Sequence, residues 1–160
     1  MFRPMRRHKQ LLLEEECRAI LENATSGVLA VLGDEDYPYA VPLSFVLDGN
    51  KLYFHGAKSG HKMDALLKHP KASFCVISQD NIVPEEYTTY FRSVIAFGKV
   101  RVMEDTQEKH DAVLLLAQKY APDTSADHKE QAIQRETAPL CMLEMTIEHM
   151  TGKQAIGLVK

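Results

Sequence analysis

Residues 41–62 constrain the fold more than any other stretch, because the hydrophobic pattern changes period within them. Apolar residues alternate with other residues up to Leu47, as in a strand, and Asp48-Gly49-Asn50 then supplies a turn. A second β-rich run over residues 51–56 completes a hairpin, and helical spacing begins after Gly60. The pattern therefore predicts a strand that ends at the first turn of a helix.

The segment between that strand and that helix is small and cationic. It combines residues that let a ligand approach the backbone with residues that carry positive charge, namely Ala57, Lys58, Ser59, Gly60, His61 and Lys62. Cations at a helix N-terminus oppose the helix dipole, so this arrangement carries an energetic penalty unless an anion binds there. A solvated helix start is the alternative explanation. We interpret the segment as a phosphate-binding site.

Composition and charge limit the possible classes of protein. The chain has 160 residues, of which 45% are hydrophobic and 26% charged, and this suits a single domain over residues 1–160 with a sizeable core. Residues 1–10 form a basic N-terminal arm. The net charge of -3 argues against nucleic acid as a partner, since a dedicated nucleic-acid binder carries a basic excess. Any phosphate site is therefore expected to be local.

Two features favour a cytoplasmic location. Leu11-Leu12-Leu13 is followed at once by glutamates, and no apolar run reaches transmembrane length, so neither a signal peptide nor a membrane partner is expected. The 3 cysteines cannot all pair in disulfides, and no two of them stand at metal-binding spacing. Cys75 and Cys141 lie in apolar strands, whereas Cys17 on the first helix is expected to be accessible.

Periodicity along the chain predicts mainly strands. They cover Gly27–Leu32 and residues 37–47, 51–56, 72–78, 93–103 and 140–148, with a further edge strand at 155–159. Helices are predicted at residues 12–24, after Gly60, before Pro122 and at 127–136. Residues 81–91 lack clear periodicity and are predicted to form a long loop. Gly98 is expected to bulge or bend its strand.

This order of elements predicts a mainly β fold with inserted helices: an antiparallel barrel of about six strands, closed or nearly closed. A parallel α/β sheet is disfavoured, because residues 27–56 hold strands in succession without crossover helices. The chain also lacks a glycine-rich dinucleotide fingerprint and a P-loop. If a nucleotide binds, the barrel is expected to bind it.

Several motifs together resemble a known family. The runs PLSF, LYFHGA and GHKMDALLKHP, with Met5-Arg6-Arg7 and residues 91–98, resemble the FMN-binding split barrels related to pyridoxamine 5'-phosphate oxidase, most closely their nitroimidazole-resistance branch. The resemblance implies a Greek-key-like six-stranded split barrel that binds FMN. It also implies reduction of small aromatic substrates, nitroaromatic compounds of the nitroimidazole type among them. It also implies a homodimer with flavin at the interface, for which NAD(P)H is a candidate electron donor.

The resemblance also implies which residues bind the cofactor. Positions matching Lys58 to Lys62 hold the flavin phosphate, and the amides of Leu43 and Ser44 face the polar edge of the flavin ring. Many relatives carry arginine where this chain has His61, so this phosphate contact is expected to be weaker and pH-dependent. The full predicted set is Val41, Pro42, Leu43, Ser44, His55, Gly56, Ala57, Lys58, Ser59, Gly60, His61, Lys62, Arg92 and Ser93.

His55 is the candidate catalytic residue. It ends the second strand of the hairpin and precedes Gly56, and in the resembled branch the matching histidine lies beside the flavin. There it could donate a proton to a reduced substrate. The alternative is a histidine that caps a turn. No metal site is expected, because His55, His61, His69 and His149 are scattered without thiolate or carboxylate partners at ligand spacing.

Three functions remain open at this stage. The first is an FMN-dependent oxidoreductase, and the second is a non-catalytic flavin-binding or sensor protein. The third is a haem-handling split barrel, which would need a histidine ligand such as His149. Vitamin B6 oxidation is disfavoured, since residues 151–160 lack the arginine- and histidine-containing substrate motif of that enzyme.

Overall fold

The computed structural model describes residues 1–136 and 140–160. Over these residues the chain is mainly β, as predicted, with one antiparallel sheet and peripheral helices. The strands are β1 (Gly27–Leu32), β2 (Pro38–Leu43), β3 (Val46–Asp48), β4 (Lys51–Ala57), β5 (Lys71–Val83), β6 (Thr88–Val102) and β7 (Leu140–Gln154). The α-helices are α1 (Glu14–Asn23), α2 (His61–Lys68), α3 (Thr106–Tyr120) and α4 (Ala126–Glu136).

The sheet has 7 strands in the order β2-β1-β5-β6-β7-β4-β3, so the prediction of six strands was wrong. Its two edge strands, β2 and β3, are consecutive in the chain and are separated only by Ser44 and Phe45. A connection this short spans about 10 Å at most, so the sheet must curl until its edges approach each other. The backbone ladder of the described strands does not join those edges. The sheet is therefore not closed, and the architecture is that of a split barrel.

The extra strand arises from a break in the predicted strand 37–47. Phe45 turns its side chain fully into the core, and its backbone leaves the ladder. The hydroxyl of Tyr120 on α3 accepts a hydrogen bond from the Phe45 N–H (2.9 Å). Its own proton can go to the carbonyl of Thr25 (2.6 Å) or of Phe45 (2.9 Å). One tyrosine thus satisfies backbone groups that the strand break would otherwise leave unpaired.

The predicted loop at residues 81–91 is wrong. β5 and β6 continue through it as an antiparallel hairpin, pairing Asn81 with Tyr90 and Val83 with Thr88 around a short turn at Pro84–Glu86. Only residues near the start of β5 pair with β1, so the distal hairpin projects from the sheet. Strands with both faces partly exposed need no apolar alternation, which explains the missing sequence signal.

Two predictions near the ends of strands had different outcomes. The bulge at Gly98 is confirmed: the β6–β7 register shifts between Phe97 and Gly98, and a Cβ at Gly98 would overlap the Thr146 carbonyl oxygen. The edge strand predicted at 155–159 is wrong, because the chain forms a 3-10 turn at Ile156–Leu158. That turn places Gly157 against the ring of Tyr90, where a Cβ would lie 2.7 Å from the nearest ring carbon.

The core lies inside the curled sheet, and α1 covers one opening. Phe74 meets Phe45 and Phe54 edge-to-face, with ring centroids 4.8 and 5.1 Å apart. Cys17 on α1 is only 2% exposed, so the expectation that it is accessible was wrong. The reason is tertiary: α1 packs its cysteine against Gly152 of β7, where a side chain on the glycine would overlap the sulfur.

A second apolar cluster seats α3 on the outer side of β4 and β7. Its buried members are Val46, Tyr53, Met103, Ala112, Leu116 and Met142. A charged cluster lies beside it. Glu144 on β7 is 3% exposed and accepts hydrogen bonds from Arg101 (3.0 Å) and Lys51 (3.3 Å), while Arg101 also pairs with Glu108 on α3. These contacts hold α3 against the sheet.

Candidate functional site

The end of β4 and the start of α2 form a narrow, glycine-dependent junction. A Cβ on Gly56 would lie 2.8 Å from the Nζ of Lys62, so glycine leaves the space that this ammonium group occupies. Gly60 precedes α2 with a φ of 130°, a conformation that side chains rarely adopt. The sequence folds this way locally because small residues permit both the turn and the close approach of Lys62.

Positive charge accumulates at this junction. The positive charges of Lys109, Lys62 and Lys58 all act on the thiol of Cys141, where they partly offset the burial that raises its pKa. Among the side chains of residues 1–135 and 140–160, none of the carboxylates forms an ion pair with these three lysines. An uncompensated group of cations beside open backbone is suited to an anion such as phosphate.

His61 is engaged differently from the two neighbouring lysines. Its Nε2 accepts a hydrogen bond from the Asp34 N–H (3.1 Å), and its ring packs on Tyr39 with centroids 4.1 Å apart. The Asp34 carboxylate lies 3.7 Å from the same nitrogen. Because Asp34 and Tyr39 engage His61, the cations at this junction that remain available to a ligand are Lys58 and Lys62.

His55 projects from β4 next to this junction. Its side chain is exposed, and it lines a cavity of about 370 Å³ together with Ser44, which follows β2. The opposite walls come from α3 and α4. The structure therefore brings two of the predicted site residues, His55 and Ser44, to one cavity, while Lys58 and Lys62 lie at the adjoining end of β4.

The predicted residues of β2 lie on an edge strand. Val41, Pro42 and Leu43 pair with β1 on one side only, and Pro42 has no N–H to contribute to a ladder. An edge strand leaves alternate backbone N–H and C=O groups outside the ladder, where a ligand can use them. Ser44 directly follows this edge strand and lines the cavity beside His55.

Arg92 and Ser93 lie elsewhere. Arg92 lies about 33 Å along β6 from Val102, at ~3.3 Å per residue. Val102 lies near the end of the sheet where His55 is found. Arg92 instead faces Gln154, with Nε and Oε1 separated by 3.4 Å. A single chain does not gather all the predicted site residues.

Several groups near the cavity had no sequence prediction. Tyr120 was interpreted only as a helix residue, yet its hydroxyl fixes the break beside Ser44. Lys119 places its Nζ 4.0 Å from the centroid of Phe45, and burial lowers the pKa of this lysine. His128 and Lys129 reach the cavity from α4. Helical spacing in α3 and α4 was visible, but it could not show that the two helices line one cavity with His55 of β4.

In the part of the chain that the structure describes, no group of three histidine, cysteine, aspartate or glutamate side chains is placed to hold a metal ion. Of the helices in those same ranges, none combines the length and apolar character needed to cross a lipid bilayer.

The fold and the site define a class: a split barrel whose open end combines a cationic junction with a neighbouring cavity. Comparison with known families agrees with this class. The chain belongs to the pyridoxamine 5'-phosphate oxidase family, whose model matches residues 14–154. The family resemblance predicted from the motifs is thereby confirmed.

Individual proteins similar to this chain extend the comparison. An uncharacterized protein of Rhizobium meliloti (strain 1021) is 28% identical over 101 residues, which cover 63% of this chain and 62% of that relative. A candidate 5-nitroimidazole antibiotic resistance protein from Bacteroides thetaiotaomicron VPI-5482 has a similar structure, with a TM-score of 0.76, 21% identity and coverage of 90% and 86%. The structure of an FAD and heme binding protein from Mycobacterium smegmatis is also similar, with a TM-score of 0.75 and 21% sequence identity. The match covers 95% of this chain and 76% of that protein.

Proposed function

We propose that this protein binds FMN at the junction of β4 and α2 and acts as an oxidoreductase on small aromatic substrates, nitroaromatic compounds among them. The observation that carries the proposal is a group of lysines beside Gly56 and the exposed His55 that have no carboxylate partner among the described side chains. Membership of the pyridoxamine 5'-phosphate oxidase family supports it. The similar structure of a candidate 5-nitroimidazole resistance protein supports the substrate class.

In this proposal each group has a defined role. FMN, when bound, supplies the electron-transfer chemistry. Lys62 and Lys58 hold its phosphate through charge-assisted hydrogen bonds, with the backbone of residues 56–61 lying alongside. The amides of Leu43 and Ser44 orient the polar edge of the ring. His55 holds a proton at the cavity wall, where it can pass to a substrate.

FMN is preferred here over riboflavin and over FAD. Riboflavin lacks the anion that the lysines would bind. FAD carries a phosphate group too, and the similar protein from Mycobacterium smegmatis is an FAD binder. The cationic group at this junction is compact, which suits one terminal phosphate better than a pyrophosphate that continues to an adenosine. Titration of the purified protein with all three flavins tests this order.

A homodimer is the second element of the proposal. Arg92 and Ser93 lie far from His55 within one chain, so they can contribute to a flavin site only if a second copy supplies them. An exposed apolar surface lies beside them: Val28 on β1 and Ile95 on β6 flank Cys75 of β5 and are each 39% exposed, and Ile77 on β5 is 67% exposed. Such a surface is suited to a partner subunit.

Light scattering on the flavin-loaded protein tests the dimer. We expect the mass of two chains, and Ile77→Lys should shift the population towards single chains and weaken flavin binding in parallel. Lys99→Gln, at an exposed position elsewhere on β6, serves as the control. A single chain fully loaded with FMN would contradict the dimer proposal.

Haem handling is a second candidate with its own observation. His149 stacks on Phe2, with ring centroids 4.6 Å apart, and lines a cavity of about 560 Å³ with Met5 and Met150. Histidine and methionine are haem ligands in other proteins, and the similar protein from Mycobacterium smegmatis binds heme. We place this candidate second, because the family and the lysine group both favour flavin.

The absorbance spectrum of the purified protein separates the candidates. Bound flavin, bound haem and empty protein have distinct spectra. We expect a flavin spectrum whose intensity follows added FMN. A haem spectrum that disappears in His149→Ala would favour the second candidate. FMN binding without turnover of any nitroaromatic compound would favour a non-catalytic flavin-binding protein.

A further inference from the structure

The cavity beside His55 has an apolar body. Its walls include Val113, Leu116 and Ala117 from α3, with Ala132 from α4. Its volume of about 370 Å³ falls in the range of pockets that hold small organic molecules. Apolar walls on this scale favour a planar or aliphatic molecule over a sugar or a free phosphate, because polar hydroxyls would lose their hydrogen bonds to water there.

The cavity is lined by basic side chains and, among the described residues, by no acidic ones. His55 reaches it from β4, and His128 and Lys129 reach it from α4. Among the described residues that line the cavity, none is aspartate or glutamate. Glu130, the neighbouring acid on α4, points away and accepts a hydrogen bond from His110 on α3 at 2.8 Å.

Lys129 is the fixed positive charge of this cavity. Its Nζ contacts one protein acceptor among the described residues, the Pro122 carbonyl, at a long 3.4 Å. A lysine ammonium has three protons to donate, so donors remain for a ligand. An apolar cavity with a cation and a histidine on its α4 wall, and a second histidine on its β4 wall, is complementary to an apolar molecule that carries one anionic group.

We propose that this cavity is the substrate compartment and that it selects small aromatic acids, with the carboxylate held by Lys129 and assisted by His128. The inference rests on the proposed function in one respect, because it makes His55 the wall shared by the flavin site and the substrate. It adds what that proposal leaves open, namely the charge of the substrate and the role of α4.

Binding of a matched pair of probes tests the inference without any turnover. The acid is 2-naphthoate, and the neutral analogue of the same shape is 2-naphthamide. The chain contains no tryptophan, so the fluorescence of these probes can be followed without interference from indole. We expect the flavin-free protein to bind 2-naphthoate at least tenfold more tightly than 2-naphthamide.

Two variants and one control locate the binding. Lys129→Gln should abolish the tenfold preference and leave the affinity for 2-naphthamide unchanged. Arg135→Gln removes one positive charge from an exposed position on the same helix and should preserve the preference. Ala132→Phe should weaken both probes by filling the cavity without adding an indole, and circular dichroism checks that each variant is folded.

The outcomes separate this inference from the proposed function. Equal affinity for the two probes, or a preference that survives Lys129→Gln, would overturn the inference even if FMN binds normally. Competition between FMN and 2-naphthoate would also overturn it, since the cavity would then be the seat of the flavin ring. A preserved preference in a protein that binds no flavin would contradict the proposed function and leave acid selection by the cavity standing.

Discussion

The two ends of β4 carry lysines in opposite electrostatic situations. At the start of the strand, Lys51 lies 3.3 Å from the carboxylate of Glu144, which Arg101 also contacts at 3.0 Å. At the other end, Lys58 and Lys62 have no carboxylate partner among the described residues. The first group of charges is complete within the protein and holds α3 in place. The second is incomplete, and a bound anion would complete it.

This difference separates structural charge from ligand-binding charge. Burial alone would raise the pKa of Glu144, but hydrogen bonds from Arg101 and Lys51 outweigh it and hold the pKa below its ordinary value. The protein therefore stabilises that carboxylate as an anion without any ligand. At the junction of β4 and α2, the positive charge of Lys58 and Lys62 meets no carboxylate among the described side chains. We expect substitutions at the first end to affect stability and substitutions at the second to affect binding.

The largest expected effect is on stability at the start of β4. Glu144→Ala should lower the free energy of unfolding by about 3 kcal/mol, the lower end of the range for breaking a buried ion pair, because both cations keep contact with water. Urea unfolding followed by circular dichroism measures it. Glu148→Ala, at an exposed position on the same strand, should change stability by no more than about 0.5 kcal/mol. A comparable loss in both variants would break the proposed distinction.

The next effect concerns turnover beside the other end of β4. His55→Ala should retain FMN yet slow substrate-dependent reoxidation of the reduced flavin by a factor on the order of 10², because the proton donor is lost. Anaerobic stopped-flow absorbance with a nitroimidazole measures the rate. His69→Ala, an exposed histidine after α2, is the control. A wild-type rate in His55→Ala would return His55 to a structural role, and lost FMN would make it a positioning residue for the cofactor.

A smaller effect is the response of stability to acid. Since the folded-state pKa of Glu144 is lowered, its contribution to stability is present above the unfolded-state pKa and is lost as pH falls through the folded-state pKa. Wild-type protein should therefore lose stability on acidification more steeply than Glu144→Gln. Thermal melts across the acidic range check this slope. Identical slopes would show that the pKa of Glu144 is not lowered by folding.

Local patterns predicted the parts of the fold that depend on neighbours in sequence. The β1 strand has the predicted bounds, and the turn at Gly49 and the start of α2 follow as expected. Each of these is specified by a short run of alternating, turn-forming or helix-starting residues. The cationic run at residues 56–62 is likewise local, whereas Lys109, the third lysine that acts on Cys141, comes from α3 and was not predicted.

Tertiary contacts explain what the sequence could not predict. The break at Phe45 depends on the hydroxyl of Tyr120, 75 positions away in the chain. The burial of Cys17 depends on Gly152 of β7, and the cavity depends on how α4 meets His55. None of these contacts leaves a periodic signal. The separation of Arg92 from His55 likewise became visible only with the strand register.

The most direct test of the account is the comparison of FMN and riboflavin binding in Lys62→Ala. If the lysines at the end of β4 hold the phosphate, this variant should weaken FMN binding by about 1.5 to 3 kcal/mol, the range for a charged hydrogen bond, and leave riboflavin binding almost unchanged. Lys68→Ala, at an exposed position in the last turn of α2, should affect neither ligand. Fluorescence titration gives both affinities. Equal losses for the two flavins would contradict the central claim that this junction is a phosphate site.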